Sequence, residues 1–167
     1  IFSLIIPDSH EVADAMVNDA RIPLISFTGS TAVGRQVATK VAARLGNTIL
    51  ELGGNNAIIL DESADLSLAI PAVVFGAVGT AGQRCTSTRR LFVHESMFAE
   101  VTKRLQHAYE QITIGDPLDS ENLMGPLIDE QAVKQFKQAI TRIKEAGGRV
   151  VFGGEAMNKP GNFVQPT

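Results

Sequence analysis

The sequence predicts an α/β protein built on a mainly parallel sheet. Two observations carry this. Short, near-continuous apolar runs alternate with stretches of helical periodicity, the pattern of strands buried on both faces between helices. One such run, Ile22 to Phe27, passes through a glycine turn straight into a helix. Composition agrees. Of 167 residues, 44% are hydrophobic and 20% charged, which is enough for a packed core and too apolar for a disordered, solvating chain.

The elements follow in order. Ile1-Phe2-Ser3-Leu4-Ile5-Ile6 reads as a strand, and Asp8-Ser9 can cap a helix with Val12, Ala13, Met16 and Val17 on one side. The strand Ile22–Phe27 leads through Thr28-Gly29-Ser30-Thr31 to a helix striped by Val33, Val37, Val41 and Leu45 and stopped at Gly46. Thr48–Leu50 and Ala57–Leu60 are short strands separated by Glu51-Leu52-Gly53-Gly54, and Gly53-Gly54 is the best seam between two domains. A helix is predicted from Ala64 to Val78, with Pro71 kinking or restarting it, then a strand at Leu91–Val93. Phe98, Val101, Leu105, Ala108 and Ile112 form one amphipathic stripe. Val133, Phe136, Ile140 and Ile143 form another, with Asp129 as cap and Gly147-Gly148 as stop. Arg149–Phe152 reads as a further strand, and Phe163–Thr167 as the start of an extended segment.

Several function classes are disfavoured at once. Fifteen Lys and Arg against eighteen Asp and Glu, a net charge of −3, point to no nucleic acid and no anionic membrane surface as partner. No apolar run approaches the ~18 residues of a membrane span. The single cysteine, Cys85, can form no internal disulfide and no thiolate zinc cluster, so no metal is expected. It serves either packing or chemistry.

Three local patterns bear on chemistry. A strand, glycine turn and helix offer backbone N–H groups to a phosphate, and Gly29 to Gly34 even has P-loop spacing. Arg35 and Gln36 stand where a P-loop needs Lys and Ser or Thr, so a looser pyrophosphate contact at Gly29 and Ser30 is left beside a plain N-cap. Glu51 ends a strand, where open α/β sheets place ligands; partly desolvated, it could act as a general base, and solvated it is only a strand terminus. Cys85 is flanked by Gln83, Arg84, Thr86 and Ser87 instead of apolar residues, and Arg84 favours a thiolate nucleophile over a packed thiol. His10, His94 and His107 carry no surrounding motif and are assigned surface or edge roles, so a Cys–His hydrolase pair is not built on them.

Taken together, Phe27-Thr28-Gly29-Ser30-Thr31, Glu51-Leu52-Gly53-Gly54 and Gly82-Gln83-Arg84-Cys85 resemble the aldehyde dehydrogenase superfamily, over essentially the whole chain. Within it, Glu51 to Ala57, Gly79 to Cys85 and Thr88 to Ser96 look most like the antiquitin group, which oxidises α-aminoadipic semialdehyde or piperideine-6-carboxylate. The resemblance implies the parallel-sheet end of a coenzyme-binding domain over residues 1–53 and the first part of an α/β catalytic domain over 54–167. It implies NAD as cofactor, with NADP as the alternative, and a small aldehyde as substrate. Cys85 would be the nucleophile and Glu51 the base. Gly29 and Ser30 would line the pyrophosphate, Val33 the adenine end, and Leu52 and Gly53 the nicotinamide. Arg84 could hold a substrate carboxylate.

The chain opens without Met and reads as an interior piece of a larger protein. The full-length form is then expected to be a homo-oligomer in the cytoplasm, or in an organelle if a leader precedes it. The resemblance puts a second oxyanion donor and other cofactor contacts outside the chain, which alone is expected not to turn over substrate. An aldehyde dehydrogenase of another substrate class and a non-catalytic scaffold of the same fold are the alternatives.

Overall fold

The computed structural model describes residues 2–167. The chain divides into two compact units at Gly53/Gly54. Each carries its own two-stranded parallel sheet, so the α/β parallel class holds in both.

In the first unit, α1 (Glu11–Asn18), β1 (Leu24–Gly29), α2 (Thr31–Ala43) and β2 (Asn47–Leu52) follow one another. β1 and β2 pair in parallel from Leu24↔Asn47 to Gly29↔Leu52. The strand begins at Leu24 and not at Ile22 because Pro23 has no N–H to give; its carbonyl accepts from Asn47 N–H at 2.9 Å just outside the ladder. α2 buries Gly34, Val37 and Val41. The predicted stripe fails at both ends: Val33 is exposed, and Leu45 lies past the helix at φ 59° and is exposed as well. Arg44 ties the unit's turns, donating from Nε to Val17 O (2.8 Å) and from Nη1 to Ile22 O (2.7 Å).

Two expectations for the N-terminal stretch are not met. Residues 2–6 form no strand, because no neighbouring segment among the described residues takes up their backbone groups; Ile1 lies outside the described residues. α1 is capped neither by Asp8 nor by Ser9: His10 is its N-cap, with no side-chain bond.

The second unit contains β3 (Asn56–Leu60), α3 (Leu66–Val78), β4 (Thr88–Val93), α4 (Phe98–Glu110) and α5 (Glu130–Glu145). β3 and β4 pair in parallel, with an irregularity after Asn56↔Thr88 that leaves Arg89 without a ladder partner. Leu60, Ile70 and Val101 make one core cluster; Val78, Met124, Leu127 and Val164 make another. Asp65 caps α3, accepting from Ser67 N–H (2.8 Å) and Oγ (2.7 Å), and these bonds lower its carboxyl pKa. That helix runs unbroken through Pro71, because the cap fixes its first turn and Ile70 and Val73 are buried on either side of the proline. Asp129 caps α5 as predicted, accepting from Ala132 N–H at 2.7 Å, and Gly148 N–H closes its end on Ile143 O at 2.8 Å.

Arg149–Phe152 is not a strand. Side-chain contacts hold it instead: Gln106 Nε2 donates to Val151 O (3.1 Å), and the Phe152 ring meets Tyr109 edge-on at 5.9 Å. Burial raises the Tyr109 phenol pKa. Beyond it, Ala156 and Val164 form an antiparallel bridge. Gly153 makes this turn at φ +65°, and a Cβ there would run into the backbone carbonyl of Pro166. Gly153→Ala is therefore expected to destabilise the protein by about 1–3 kcal/mol from backbone conformation alone, with the collision adding to it. Urea titration should show a lower midpoint at unchanged slope. No described helix is long and apolar enough to cross a membrane.

Candidate active site

The first unit gathers its candidate residues at one sheet edge. Because β1 and β2 run parallel, their carboxyl ends coincide: Thr28 stands against Glu51 and Gly29 against Leu52. α2 starts at the same edge. Ser30 is its N-cap, with Oγ accepting from Val33 N–H at 3.2 Å and its carbonyl accepting from Gly34 N–H at 2.8 Å. The N–H groups of Thr31 and Ala32 have no intrahelical acceptor, and the first turn carries no acidic side chain. The cap therefore leaves the groups that an anion would use.

Leu52 turns toward α2, for a Cβ on Gly34 would lie 2.5 Å from Leu52 Cδ2. Glu51, its neighbour in the strand, points to the opposite face and is exposed. The partly desolvated setting expected for this carboxylate is not present within its own unit. Val33 is 43% exposed in the first turn of α2, and Gly53 has no atom within 4 Å of where its Cβ would be.

In the second unit Cys85 is exposed, in a turn between α3 and β4. The turn closes on Ser87, which is 2% exposed: Ser87 N–H donates to Arg84 O (3.2 Å), and Ser87 Oγ accepts from Arg84 N–H (3.1 Å). Asn56, the first residue of β3, donates from Nδ2 to Cys85 O at 2.7 Å and to Ser87 O at 3.1 Å. Gln83 fixes the preceding residue. Its Oε1 accepts from Ile128 N–H (2.9 Å), and its Nε2 donates to Thr80 O (3.1 Å) and Pro126 O (3.3 Å). Amid these bonds the Cys85 N–H has no partner among the described residues.

Arg84 is half-buried and folds back. Its Nε donates to Thr80 Oγ1 at 2.9 Å, and Cζ lies 4.9 Å from the Phe75 ring centroid. Its Nη groups make no hydrogen bond among the described residues. The chain enters this turn through Thr80 (φ 56°), Ala81 (φ 53°) and Gly82 (φ 71°), all left-handed. For the first two that conformation costs on the order of 1–3 kcal/mol each.

Sequence reasoning missed this run and missed Asn56. Gly82 alone signals a turn, and nothing local marks Thr80 or Ala81. Asn56 was legible only as part of the Glu51–Ala57 motif. Two of the three histidines are engaged elsewhere: His94 Nδ1 bonds Ser96 Oγ at 2.8 Å, and His107 pairs with Glu110 at 3.7 Å.

The comparisons bear on this geometry. The aldehyde dehydrogenase family model matches residues 1–167. An α-aminoadipic semialdehyde dehydrogenase from Bos taurus is 57% identical over 157 residues, covering 94% of this chain and 29% of its own length. A putative aldehyde dehydrogenase family 7 member A1 homolog from Caenorhabditis elegans is 50% identical over 159 residues, covering 94% and 30%. Among solved structures, betaine aldehyde dehydrogenase from Staphylococcus aureus, in complex with NAD+, superposes with a TM-score of 0.89 at 29% identity. It covers 93% of this chain and 33% of its own. An NADP dependent enzyme from E. coli gives 0.89 at 38% identity, covering 93% and 32%. The chain thus spans about a third of the proteins it matches. With the family model matched from end to end, the chain belongs to the aldehyde dehydrogenase family.

Proposed function

We propose that the whole protein oxidises an aldehyde, of the α-aminoadipic semialdehyde class, to a carboxylic acid with NAD or NADP. One observation carries the reading. Cys85 is exposed in a turn held by bonds at Arg84 N–H and O, Cys85 O and Ser87, while its own N–H is left without a partner among the described residues. The name of the bovine relative supports the substrate class.

The steps follow from the side chains. Cys85, having released its thiol proton to water, bonds the aldehyde carbon through Sγ, and the carbonyl oxygen becomes an oxyanion to which the Cys85 N–H can donate. A bound nicotinamide would supply the hydride acceptor for that carbon, and Cys85 would then hold the acyl group as a thioester. Glu51 takes a proton from the water that attacks the thioester; the C–S bond breaks and the acid departs.

Residues 1–53 are assigned to the coenzyme-binding domain and 54–167 to the catalytic domain. The start of α2 suits the cofactor's pyrophosphate: the Thr31 and Ala32 N–H groups have no intrahelical acceptor, and no carboxylate stands in the first turn. Gly29 and Ser30 would hold that group, Val33 the adenine end, and Leu52 and Gly53 the nicotinamide side. A homo-oligomeric whole protein acting in the cytoplasm or an organelle completes the proposal.

Arg84 is assigned the substrate's far carboxylate, through the Nη groups left without partners. The test assays the whole protein on aminoadipic semialdehyde beside propanal. Arg84→Ala is expected to raise KM for the carboxylated substrate roughly tenfold to a hundredfold and to leave that for propanal nearly unchanged. Loss of the Thr80 bond and the Phe75 contact would fall on both substrates, so equal changes would remove the assignment. No NAD(P)+ reduction with any aldehyde would remove the proposed function.

A further inference from the structure

We propose that Asn56 is a positioning residue for the nucleophile, holding the peptide that follows Cys85 so that Sγ and the Cys85 N–H keep one fixed relation. The inference rests on the reading of Cys85 as nucleophile. It starts from peptide planarity. Cys85 lies between two peptide planes, and fixing both fixes its φ and ψ.

The first plane carries Arg84 O and Cys85 N–H on opposite sides. Because Arg84 O accepts from the buried Ser87 N–H at 3.2 Å, the Cys85 N–H is turned the other way, out of the turn. The second plane carries Cys85 O, and Asn56 Nδ2 holds it at 2.7 Å. The same nitrogen reaches Ser87 O at 3.1 Å, so one amide brackets Thr86 from both sides.

An amide suits this task because its nitrogen has two hydrogens for two carbonyls. A carboxylate of equal size would face both carbonyls with acceptors only. The site of the clamp is also where the β3–β4 ladder is irregular, at Asn56↔Thr88, so the side chain supplies cross-links where the backbone pairing breaks register. A second observation concerns the backbone that enters β3. A Cβ on Gly54 would come within 2.9 Å of both Cys85 O and Asn56 Oδ1, so the glycine leaves room for the amide and the carbonyl to meet.

The test uses the whole protein. Asn56→Asp, Asn56→Ala and Gly54→Ala are each expected to lower kcat roughly tenfold to a hundredfold, with KM for the cofactor little changed. Asn56→Asp should be the worse of the two Asn56 variants although it conserves shape, and its activity relative to wild type should recover as pH falls and the carboxyl regains a donor. A role in packing alone predicts the reverse order and no pH recovery. Alkylation of Cys85 by iodoacetamide should slow at least threefold in Asn56→Ala and Gly54→Ala, a readout that needs no turnover. If Asn56→Asp fails to fold, the other two variants decide.

Wild-type kcat and wild-type alkylation in these variants, with Cys85→Ala inactive, would overturn the positioning role and leave the proposed function standing. A wild-type protein inert to aldehydes, with slowed alkylation in the variants, would do the opposite.

Discussion

Cys85→Ala in the whole protein is expected to abolish aldehyde-dependent NAD(P)+ reduction, by roughly 10⁴-fold or more, because the proposed covalent intermediate forms on its sulfur. Cys85 is the one cysteine of these 167 residues. The turn should survive the change: its bonds run through the Cys85 carbonyl, Ser87, Asn56 and Gln83, none of which uses the sulfur. Cofactor affinity and the thermal midpoint should therefore stay near wild type while turnover vanishes. Turnover within tenfold of wild type would show that the sulfur is not the nucleophile.

The second large effect belongs to Glu51→Gln. The first half of the reaction asks for a thiolate and a hydride acceptor; the second asks for a base to take the proton of water. Losing that base should lower steady-state kcat roughly 10²- to 10⁴-fold while leaving a rapid first turnover. Stopped-flow absorbance should show a burst approaching one NADH per site, followed by a slow line, with acyl-enzyme detectable by mass spectrometry of the quenched protein. Loss of burst and steady state together would move Glu51 to the activation of Cys85. A variant with full turnover would take it out of the reaction. The Glu51 side chain is exposed and makes no hydrogen bond among the described residues, so Gln should fit without strain.

What was legible in the sequence is local. Ser30 and Asp129 could be read as caps because a cap bonds its own next turn, three residues on. The exposed setting of Cys85 followed from its polar neighbours. What escaped depends on partners distant in sequence or on backbone conformation without a residue signature. Asn56 bonds a carbonyl 29 residues away, which no periodicity announces. Thr80 and Ala81 adopt a left-handed conformation that their types disfavour, held where Thr80 meets Arg84. Arg149–Phe152 has strand composition, but a strand exists only where another lends its backbone, and none does so among the described residues. Proline misled twice: at position 23 it delayed a strand, and at 71 it did not break a helix.

The alternation along β2 has an evolutionary corollary. Leu52 packs inward on α2 while Glu51 faces the other way, and a strand's side chains change sides at every step. Gaining or losing one codon between Asn47 and Leu52 would exchange the two, sending the carboxylate under the helix and the leucine into water. Divergence here can proceed by replacement but not by change of length.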